Sequence, residues 1–355
     1  MKPVQILLSS YRFPPSIGGL ETSSLFLAKG LTERGYKVTV VTATPGNDNE
    51  YSFAIVRQPS LRALFRLVRN ADVIWQNHIS LRNLWPLLFI SRPLIFMHHI
   101  SLRWLDDYKP HLGGLKRLAC KFGRNVFVSK ELRKDARLPG EIVPNTYDDK
   151  IFRVLPGIKR DRDVAFLGRL KRYKGTDTLI DAVATLASDS IEAKTTVIGF
   201  GPEQKALKKR AYNKGIDNLV NFAGPQRGEA LAQLLNRHRI VVIPSRCEEA
   251  FGIVALEAFA CGCVVVAAES GALPEVIGPA GIIFPKEDVL ALAAILKRLL
   301  ADPKEIDGLR QHIPAQLAKF DKAAILDACE NVIKHAARPS QTVQNSHRVG
   351  ARGRS

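Results

Sequence analysis

Two glutamates eight residues apart are the first feature that could carry chemistry. Glu249 and Glu257 bracket an apolar segment that begins at Phe251-Gly252. Paired carboxylates are typical of glycoside hydrolysis, where both acids flank one bond. A strand-like run, "IVVIPS", precedes Glu249, and the pattern predicts a helix from about Gly252. Glu257 would then lie in the second turn, about 7.5 Å along the axis from Gly252, so the two acids are not a matched hydrolytic pair.

The start of this predicted helix is a candidate anion site. The amides of Gly252, Ile253 and Val254 would point at any group beyond the helix N-terminus, where the dipole favours negative charge. With a phosphate there, Glu257 and Glu249 could accept hydrogen bonds from sugar hydroxyls. The alternative is structural: Glu257 would be a buried, paired acid, and Glu249 an acid that the helix dipole favours.

Two cations follow another predicted strand, "RDVAFLGRL". Arg169 and Lys174 lie between this strand and a helix predicted from about Thr176. Arginine binds phosphate oxygens through forked hydrogen bonds and lysine as a point charge, so the pair suits a diphosphate. A solvated basic loop is the open alternative, because Lys171 and Arg172 lie in the same segment.

Two loops in the first half also follow strands. Gly18-Gly19 lies just before a predicted helix over 20–34, where glycine allows a close backbone approach to an anion. The alternative is a flexible turn, since the dinucleotide fingerprint G-x-G-x-x-G is missing. His98 and His99 end the strand "PLIFMH", and we expect His98 to face the ligand. No spacing of metal ligands lies nearby, so no metal is predicted.

The elements that would position these residues alternate between strand and helix, and the series starts twice. Short apolar strands between helices predict parallel sheets covered on both faces. We therefore expect an α/β protein with two Rossmann-like doubly wound domains facing a central cleft, with ligands beyond the carboxyl ends of the strands. The predicted parts are a first Rossmann-like domain over 1–152, a second over 153–320, a helix at 321–336 that packs on the first domain, and a disordered basic tail at 337–355. The helix is the end of a helical stretch predicted over about 304–336.

Charge is the unusual feature of the composition. The 355 residues carry a net charge of +18, and residues 1–150 hold 22 Lys and Arg against 12 Asp and Glu. Basic surfaces attract nucleic acid, anionic lipid or phosphorylated substrates. The five cysteines suggest free thiols in a reducing compartment. With neither a signal peptide nor a membrane-spanning run in sight, we expect a cytoplasmic protein.

The segment around residue 65 could meet a membrane. Arginines recur at helical spacing beside apolar residues, and the stretch that starts at residue 115 adds further cations. The first group comprises Leu61, Arg62, Leu64, Phe65, Arg66, Val68 and Arg69. The pattern fits a peripheral face on an anionic membrane, and it equally fits ordinary solvated helix faces.

Together these segments resemble the retaining glycosyltransferases of family four, which have the GT-B architecture of two Rossmann-like domains. The resemblance covers most of residues 1–330 and is strongest in the second half. It is carried by "GGLETSSLFLAKGL", "GRLKRYKG", "IGFGPEQKALKK", "EAFGIVALE" and "SGALPEVI". One departure is "PNTYD" at 144–148, where Thr146 replaces a glycine of the family pattern.

The resemblance implies that 1–152 is the acceptor-side domain and 153–320 the nucleotide-sugar-binding domain, and it implies roles for individual residues. Arg169 and Lys174 would bind the donor pyrophosphate, Glu257 the ribose, and Glu249 would lie near the donor sugar. His98 would lie near both sugars. The implied catalytic set is His98, Arg169, Lys174 and Glu249. The implied donor-binding set is Gly18, Gly19, Arg169, Lys174, Glu249, Phe251, Gly252, Ile253, Val254 and Glu257.

The function implied is a retaining hexosyltransferase. It would move a sugar from a nucleotide-diphosphate sugar to a sugar or lipid-linked acceptor, in cell-surface polysaccharide or glycolipid synthesis. Apart from this donor substrate, no cofactor is expected. The alternatives are a nucleotide-sugar epimerase of the same architecture, which needs no acceptor, and a non-catalytic nucleotide- or nucleic-acid-binding protein. Nucleic acid is not an expected partner, because aromatic residues do not interleave with the cations.

Overall fold

The computed structural model of the protein describes residues 2–16, 18–48, 51–102 and 110–337. Of the tail predicted at 337–355, all but Ala337 lies outside these residues. By residue contacts the chain divides into two compact units. The first takes its described residues from 1–97, 114–126 and 326–355, and the second from 98–113 and 127–325. The predicted domain limits and the cleft stay predictions.

The first sheet has seven strands in the order β3-β2-β1-β4-β5-β6-β7. They are β1 (Gln5–Ser9), β2 (Lys37–Thr42), β3 (Ala54–Arg57), β4 (Val73–Gln76), β5 (Leu94–His98), β6 (Arg124–Phe127) and β7 (Glu141–Ile142). β1 pairs in parallel with both β2 and β4. The strand order therefore reverses beside β1, at the kind of point where open α/β sheets bind ligands.

Helices and short turns connect these strands. They are α1 (Gly19–Glu33), α2 (Leu61–Asn70), the 3-10 turns Leu81–Asn83 and Trp85–Leu88, α3 (Pro110–Cys120) and α4 (Lys130–Ala136). α2 begins after Ser60, whose hydroxyl accepts from the Ala63 amide. Its Leu64 and Val68 pack on Ile74 of β4 in a buried cluster. Pro86 lies in the first turn of the segment Trp85–Leu88, where its missing amide donor is tolerated.

The second sheet has six strands in the order β10-β9-β8-β11-β12-β13. They are β8 (Arg162–Leu167), β9 (Thr195–Ile198), β10 (Val220–Gly224), β11 (His238–Ile243), β12 (Val264–Ala268) and β13 (Gly281–Phe284). β8 pairs in parallel with both β9 and β11, so the order reverses between β8 and β11. The strands are almost continuously apolar because helices cover both faces.

The helices of this second series are α5 (Thr176–Ser188), α6 (Gln204–Asn213), α7 (Gly228–Asn236), α8 (Ile253–Ala260), α9 (Leu273–Ile277), α10 (Val289–Ala301), α11 (Pro303–Gln311), α12 (Ile313–Ala318) and α13 (Lys322–Ala337). Phe166 and Val242 of the sheet are buried with Leu179 and Val183 of α5 in one core. Two parallel sheets with intervening helices confirm the predicted fold class.

The last part of the chain differs from its prediction as one helical stretch over 304–336. It forms α11, α12 and α13 instead. Pro314 stands in the first turn of α12, where a proline is tolerated, but it could not continue α11. A new start follows at Asp321, whose carboxylate accepts from the Ala324 amide at 2.9 Å.

Within the first unit, the end of α13 packs against α1. The Arg34 guanidinium contacts Asp327 at 2.6 Å and Glu330 at 3.3 Å. A Cβ at Gly30 would lie 2.5 Å from the Leu326 side chain, so any larger residue would have to displace that side chain. The apolar face of α13 is therefore part of the first unit's interior.

No helix within the described residues is both long and apolar enough to span a membrane. The five cysteines are unpaired thiols, as predicted. Cys261 and Cys263 are buried at the turn from α8 to β12, as small residues of that turn.

Candidate functional site

The predicted site residues of the second half gather beside the strand reversal of the second sheet. β8 and β11 are neighbours there, and their carboxyl ends lead into the loops 168–175 and 244–252. The first loop carries Arg169 and Lys174, and the second carries Glu249. Since parallel strands end at the same edge, both loops occupy the crevice where such sheets bind ligands.

A glycine lets the two loops touch. Gly175 ends the 3-10 turn Arg172–Lys174 in the left-handed region, at φ 68°. A Cβ on Gly175 would lie 1.9 Å from the Pro244 carbonyl oxygen, which no side chain tolerates. The Tyr173 carbonyl accepts from the Arg246 amide at 2.9 Å. Close approach thus fixes the backbone beside Lys174.

Lys174 and Glu249 form an ion pair inside this crevice. The Lys174 ammonium donates to Glu249 Oε1, and the Ser245 hydroxyl donates to the same oxygen at 2.5 Å. Burial opposes the charge on Lys174, but the attraction of Glu249 outweighs it and raises the pKa of the ammonium. Lys174 is therefore cationic at neutral pH and available to a phosphate.

The second loop leads into α8 through Gly252, which has φ 100°. A Cβ there would lie 2.6 Å from the Leu273 side chain, so glycine is needed for conformation and for space. α8 begins at Ile253 without a side-chain cap. Because the first amides of a helix have no intrahelical acceptor, the amides of Ile253 and Val254 are available to an anion.

Glu257 lies in the second turn of α8, as predicted. Desolvation raises the pKa of its carboxyl to about 8. Across the described residues, its carboxylate has neither a hydrogen bond nor an ion pair, so the structural alternative of a paired acid does not hold. Burial of a carboxyl without a partner carries a desolvation penalty, and such residues are typical of functional sites.

Three residues that the sequence reasoning missed hold this motif in place. Glu248 accepts from the Gly271 amide at 2.6 Å and pairs with the Lys286 ammonium. Arg246 binds the start of α5 through Asp177. Ser245, described above, orients Glu249. The sequence could have indicated these residues only by their position within or beside the motif of Glu249 and Glu257. Their contacts with residues distant in sequence could not be predicted.

Arg169 lies two residues beyond β8 and is partly exposed. Phe251 is buried and packs edge-on against Phe320, with ring centroids 5.5 Å apart. Thr146, the departure from the family pattern, donates its hydroxyl to the Phe320 carbonyl at 2.7 Å. The threonine thus makes a bond that a glycine could not.

The first-half residues lie at the end of β5 and at the start of α1, the helix that follows β1. Gly18 and Gly19 belong to the first unit, where α1 begins at Gly19. Glu21, another residue that was missed, is buried in the first turn of α1 and accepts from the Ser16 hydroxyl at 2.9 Å. His98 is buried at the end of β5 and stacks on Phe127 with centroids 4.5 Å apart. That Gly18, Gly19 and His98 share one ligand site with Lys174 stays a prediction.

Comparison with known proteins adds independent findings. Residues 148–315 match the family model "Glycosyl transferases group 1". A D-inositol 3-phosphate glycosyltransferase of Corynebacterium jeikeium is 33% identical over 178 residues, 48% of this chain and 42% of that protein. An MMP alpha-(1->4)-mannosyltransferase of Mycolicibacterium hassiacum is 35% identical over 175 residues, 47% of this chain and 41% of that protein. The chain thus spans less than half the length of these relatives.

Solved structures share the whole fold. Anabaena Alr3699/HepE, in complex with UDP and glucose, superposes with a TM-score of 0.81 at 22% identity, covering 94% of this chain and 100% of that one. The sucrose-phosphate synthase of Thermosynechococcus elongatus gives 0.81 at 21%, covering 94% and 98%. These likenesses show the GT-B fold. The match of residues 148–315 to the glycosyl transferases group 1 family agrees with the resemblance that the sequence motifs predicted.

Proposed function

We propose that this protein is a retaining hexosyltransferase. It transfers a sugar from a nucleotide-diphosphate sugar to a sugar or lipid-linked acceptor, in cell-surface polysaccharide or glycolipid synthesis. The observation that carries the proposal is the grouping of Lys174, Glu249 and the start of α8 beside the strand reversal. The glycosyltransferase and mannosyltransferase activities of the relatives support sugar transfer, and the HepE complexes with UDP support a nucleotide donor.

In the proposed reaction, the bond between the anomeric carbon and the diphosphate oxygen breaks. Negative charge then develops on the leaving diphosphate. Lys174, Arg169 and the amides at the start of α8 stabilise this charge, and such preorganised electrostatics is usually the largest catalytic contribution. The proposal assigns this stabilisation to the protein's own groups, without a metal or cofactor.

The acceptor completes the exchange. Its hydroxyl oxygen bonds to the anomeric carbon on the face that the diphosphate leaves, so the configuration is retained. The hydroxyl proton passes to the leaving diphosphate oxygen. Glu257 accepts from the ribose hydroxyls, and Glu249 from the donor sugar. His98 lies beside the transferred sugar, while Gly18 and Gly19 close over the phosphates.

The test of donor binding is thermal stabilisation by a panel of nucleotide-sugars. We expect at least one of them to raise the melting temperature of the wild-type protein. Lys174→Ala and Glu257→Ala should abolish this shift, whereas Lys297→Ala should keep it, because Lys297 forms an exposed ion pair with Asp189 away from the site. Undiminished stabilisation in both site variants would mean that the donor binds elsewhere.

Turnover separates the transferase from the epimerase alternative. With the stabilising nucleotide-sugar and a lipid-linked sugar acceptor, we expect a glycosylated acceptor and release of the nucleoside diphosphate. The new linkage should keep the donor's anomeric configuration in the nuclear magnetic resonance spectrum. Conversion of the nucleotide-sugar to its epimer without any acceptor would favour the alternative.

We further propose that the protein works in the cytoplasm, at the inner face of the membrane. In the first unit, Leu88 and Phe89 expose 81% and 74% of their surface after the second 3-10 turn. The neighbouring Arg92 guanidinium donates to the carbonyl of Arg69 at the end of α2. Apolar side chains beside cations suit the headgroup region of an anionic bilayer.

A second exposed apolar group lies in the first unit, just before β6. Phe122, just before β6, is 78% exposed, and Leu118 of α3 is half exposed. A Cβ at Gly123 would lie 2.8 Å from the Leu94 carbonyl, so this segment adjoins the start of β5, which follows Arg92. The two apolar groups are therefore close in the fold, beside the starts of β5 and β6, which supports one membrane-docking surface over separate solvated helix faces.

Vesicle co-sedimentation tests this docking. We expect binding to vesicles of phosphatidylglycerol and phosphatidylcholine at low salt, and little binding to phosphatidylcholine alone. Replacing both Leu88 and Phe122 by serine should weaken binding several-fold. The control is Leu290→Ser, since Leu290 is 72% exposed in the second unit. Equal binding to neutral vesicles at high salt would contradict an anionic docking surface.

A further inference from the structure

Arg246 lies on the loop after β11, and its side chain, which is 21% exposed, reaches the loop after β8 and the start of α5. Its two terminal nitrogens donate to the two carboxylate oxygens of Asp177 at 2.9 Å each. The same nitrogens also reach the Arg172 carbonyl at 2.9 Å and the Thr178 hydroxyl at 3.2 Å. Nε donates to Glu287 at 2.6 Å.

This set of bonds uses the whole guanidinium. An arginine has five N–H groups in a fixed fork, and five acceptor contacts are present. No N–H group is therefore left for a ligand. Arg246 has no direct part in binding a phosphate, although it lies three residues before Glu249.

The partners of Arg246 enclose Lys174 on both sides along the chain. Arg172 and Thr178 lie on either side of Lys174, and the backbone amide of Arg246 bonds the Tyr173 carbonyl at 2.9 Å. Glu249, on the same loop as Arg246, is the ion-pair partner of Lys174. The Arg246 guanidinium thus joins the loop that carries Glu249 to the loop that carries Lys174.

We propose that Arg246 is a positioning residue, which sets the separation of the Lys174 and Glu249 loops so that Lys174 meets the donor's diphosphate. This inference rests on the proposed function and deepens it. A charged group displaced by about 1 Å can cost roughly a hundredfold in rate, so supporting contacts of this kind decide how well a site works. The raised pKa of Arg246, due first to its bond with Asp177, agrees with a permanently charged fork.

Replacement by lysine separates geometry from charge. Lysine keeps the positive charge but has one nitrogen, which cannot span a carboxylate, a carbonyl and a second acid in one plane. We expect Arg246→Lys and Arg246→Ala both to weaken binding of a nucleoside diphosphate by about tenfold or more. Nucleoside monophosphate binding should change less than about threefold, because Lys174 is placed for the diphosphate. These magnitudes follow from the cost of a misplaced site.

The control is a second forked pair in the same unit. Arg210 donates from Nε and Nη2 to the two oxygens of Asp181 on α5 and has no hydrogen bond to either loop among the described residues. Arg210→Ala should lower the melting temperature and leave nucleotide binding unchanged. If Arg246→Ala fails to fold, Asp177→Asn serves instead, since it keeps the side-chain shape and removes one charge of the pair.

The measurement is the Kd of UDP, GDP and ADP, and of their monophosphates, by isothermal titration calorimetry. Wild-type affinity in Arg246→Lys would overturn the positioning role. Equal losses for diphosphate and monophosphate would overturn it too, because they would indicate general loosening. If wild-type protein binds none of the three diphosphates, the proposed function fails first, and this inference fails with it.

Discussion

Desolvation is the only cause of the raised pKa of the Glu257 carboxyl, which has no partner among the described residues to offset it. This carboxyl projects from α8, whose neighbouring residues Ala255, Leu256 and Ala258 are fully buried. Desolvation raises the pKa of this carboxyl to about 8, so at pH 7 the free protein holds it mainly protonated. Ribose hydroxyls would supply the hydrogen bonds that the carboxyl lacks in the free protein.

This gives a pH dependence with a definite sign. Because the folded pKa lies above the ordinary value of 4.5, the native state binds more protons than the unfolded state between pH 4.5 and about 8. The free energy of unfolding should therefore fall as pH rises through this window. Glu257→Gln should remove that component, making the variant more stable than wild type at pH 9 but not at pH 4.

Urea unfolding at a series of pH values measures this effect. The comparison needs nucleotide-free protein, since a ligand that binds only the native state adds its own stabilisation. A stability difference between wild type and Glu257→Gln that stays constant from pH 4 to pH 9 would show that Glu257 titrates normally.

Single residues differed in how far the sequence could predict them. Lys174, Glu249 and Glu257 were identified because each follows a strand or starts a helix beside one. The Lys174–Glu249 pair joins residues 75 apart, and the Arg246–Asp177 pair joins residues 69 apart. Such contacts depend on how closely two loops approach, and neither spacing nor residue type sets that distance.

Among the secondary-structure elements, the contact between the 3-10 turn Arg172–Lys174 and the loop after β11 matters most. It exists because Gly175 has no side chain. Gly175→Ala should cost on the order of 1–3 kcal/mol in backbone strain and clash, and it should weaken nucleotide binding by displacing Lys174. Gly215→Ala is the matched control, since Gly215 also has φ 68° but nothing lies within 4 Å of its Cβ position.

Chemical denaturation and nucleotide titration of both glycine variants separate the two costs. Both variants should lose the roughly 1–2 kcal/mol that the left-handed region costs an alanine. Only Gly175→Ala should lose nucleotide affinity. Equal behaviour of the two variants would show that loop contact at Pro244 is not needed.

Buried strands and well-spaced helices were predictable, and half-exposed or interrupted elements were not. The apolar runs of β8 and β11 are fully enclosed, so their composition alone reveals them. β3 was missed because it is short and only partly buried, with no continuous apolar run. The breaks around α12 were missed because a helical pattern continues across Pro314, which is tolerated in a first turn.

On the scale of the molecule, the C-terminal helix α13 contributes to the stability of the first unit. Its buried side chains in that unit are Leu326, Cys329, Val332 and Ile333. Burying each is worth about 1.5–3 kcal/mol, and the sum is comparable to the whole stability of a typical domain. The first unit is therefore not expected to fold without this helix.

Truncation tests this dependence. A chain ending at Asp321 should be insoluble or lack a cooperative thermal transition. A chain ending at Ala337 keeps every described contact of α13 and should melt within a few degrees of the full protein. Cooperative melting of the shorter chain at the wild-type temperature would contradict the structural role of α13.

The most direct measurement is a crystal structure of the protein with a bound nucleoside diphosphate. We expect the diphosphate at the carboxyl ends of β8 and β11, with Lys174 Nζ, the Arg169 guanidinium and the amides of residues 252–254 within hydrogen-bond distance. The ribose should lie against Glu257. A nucleotide bound at any other place, with this crevice empty, would contradict the proposed donor site.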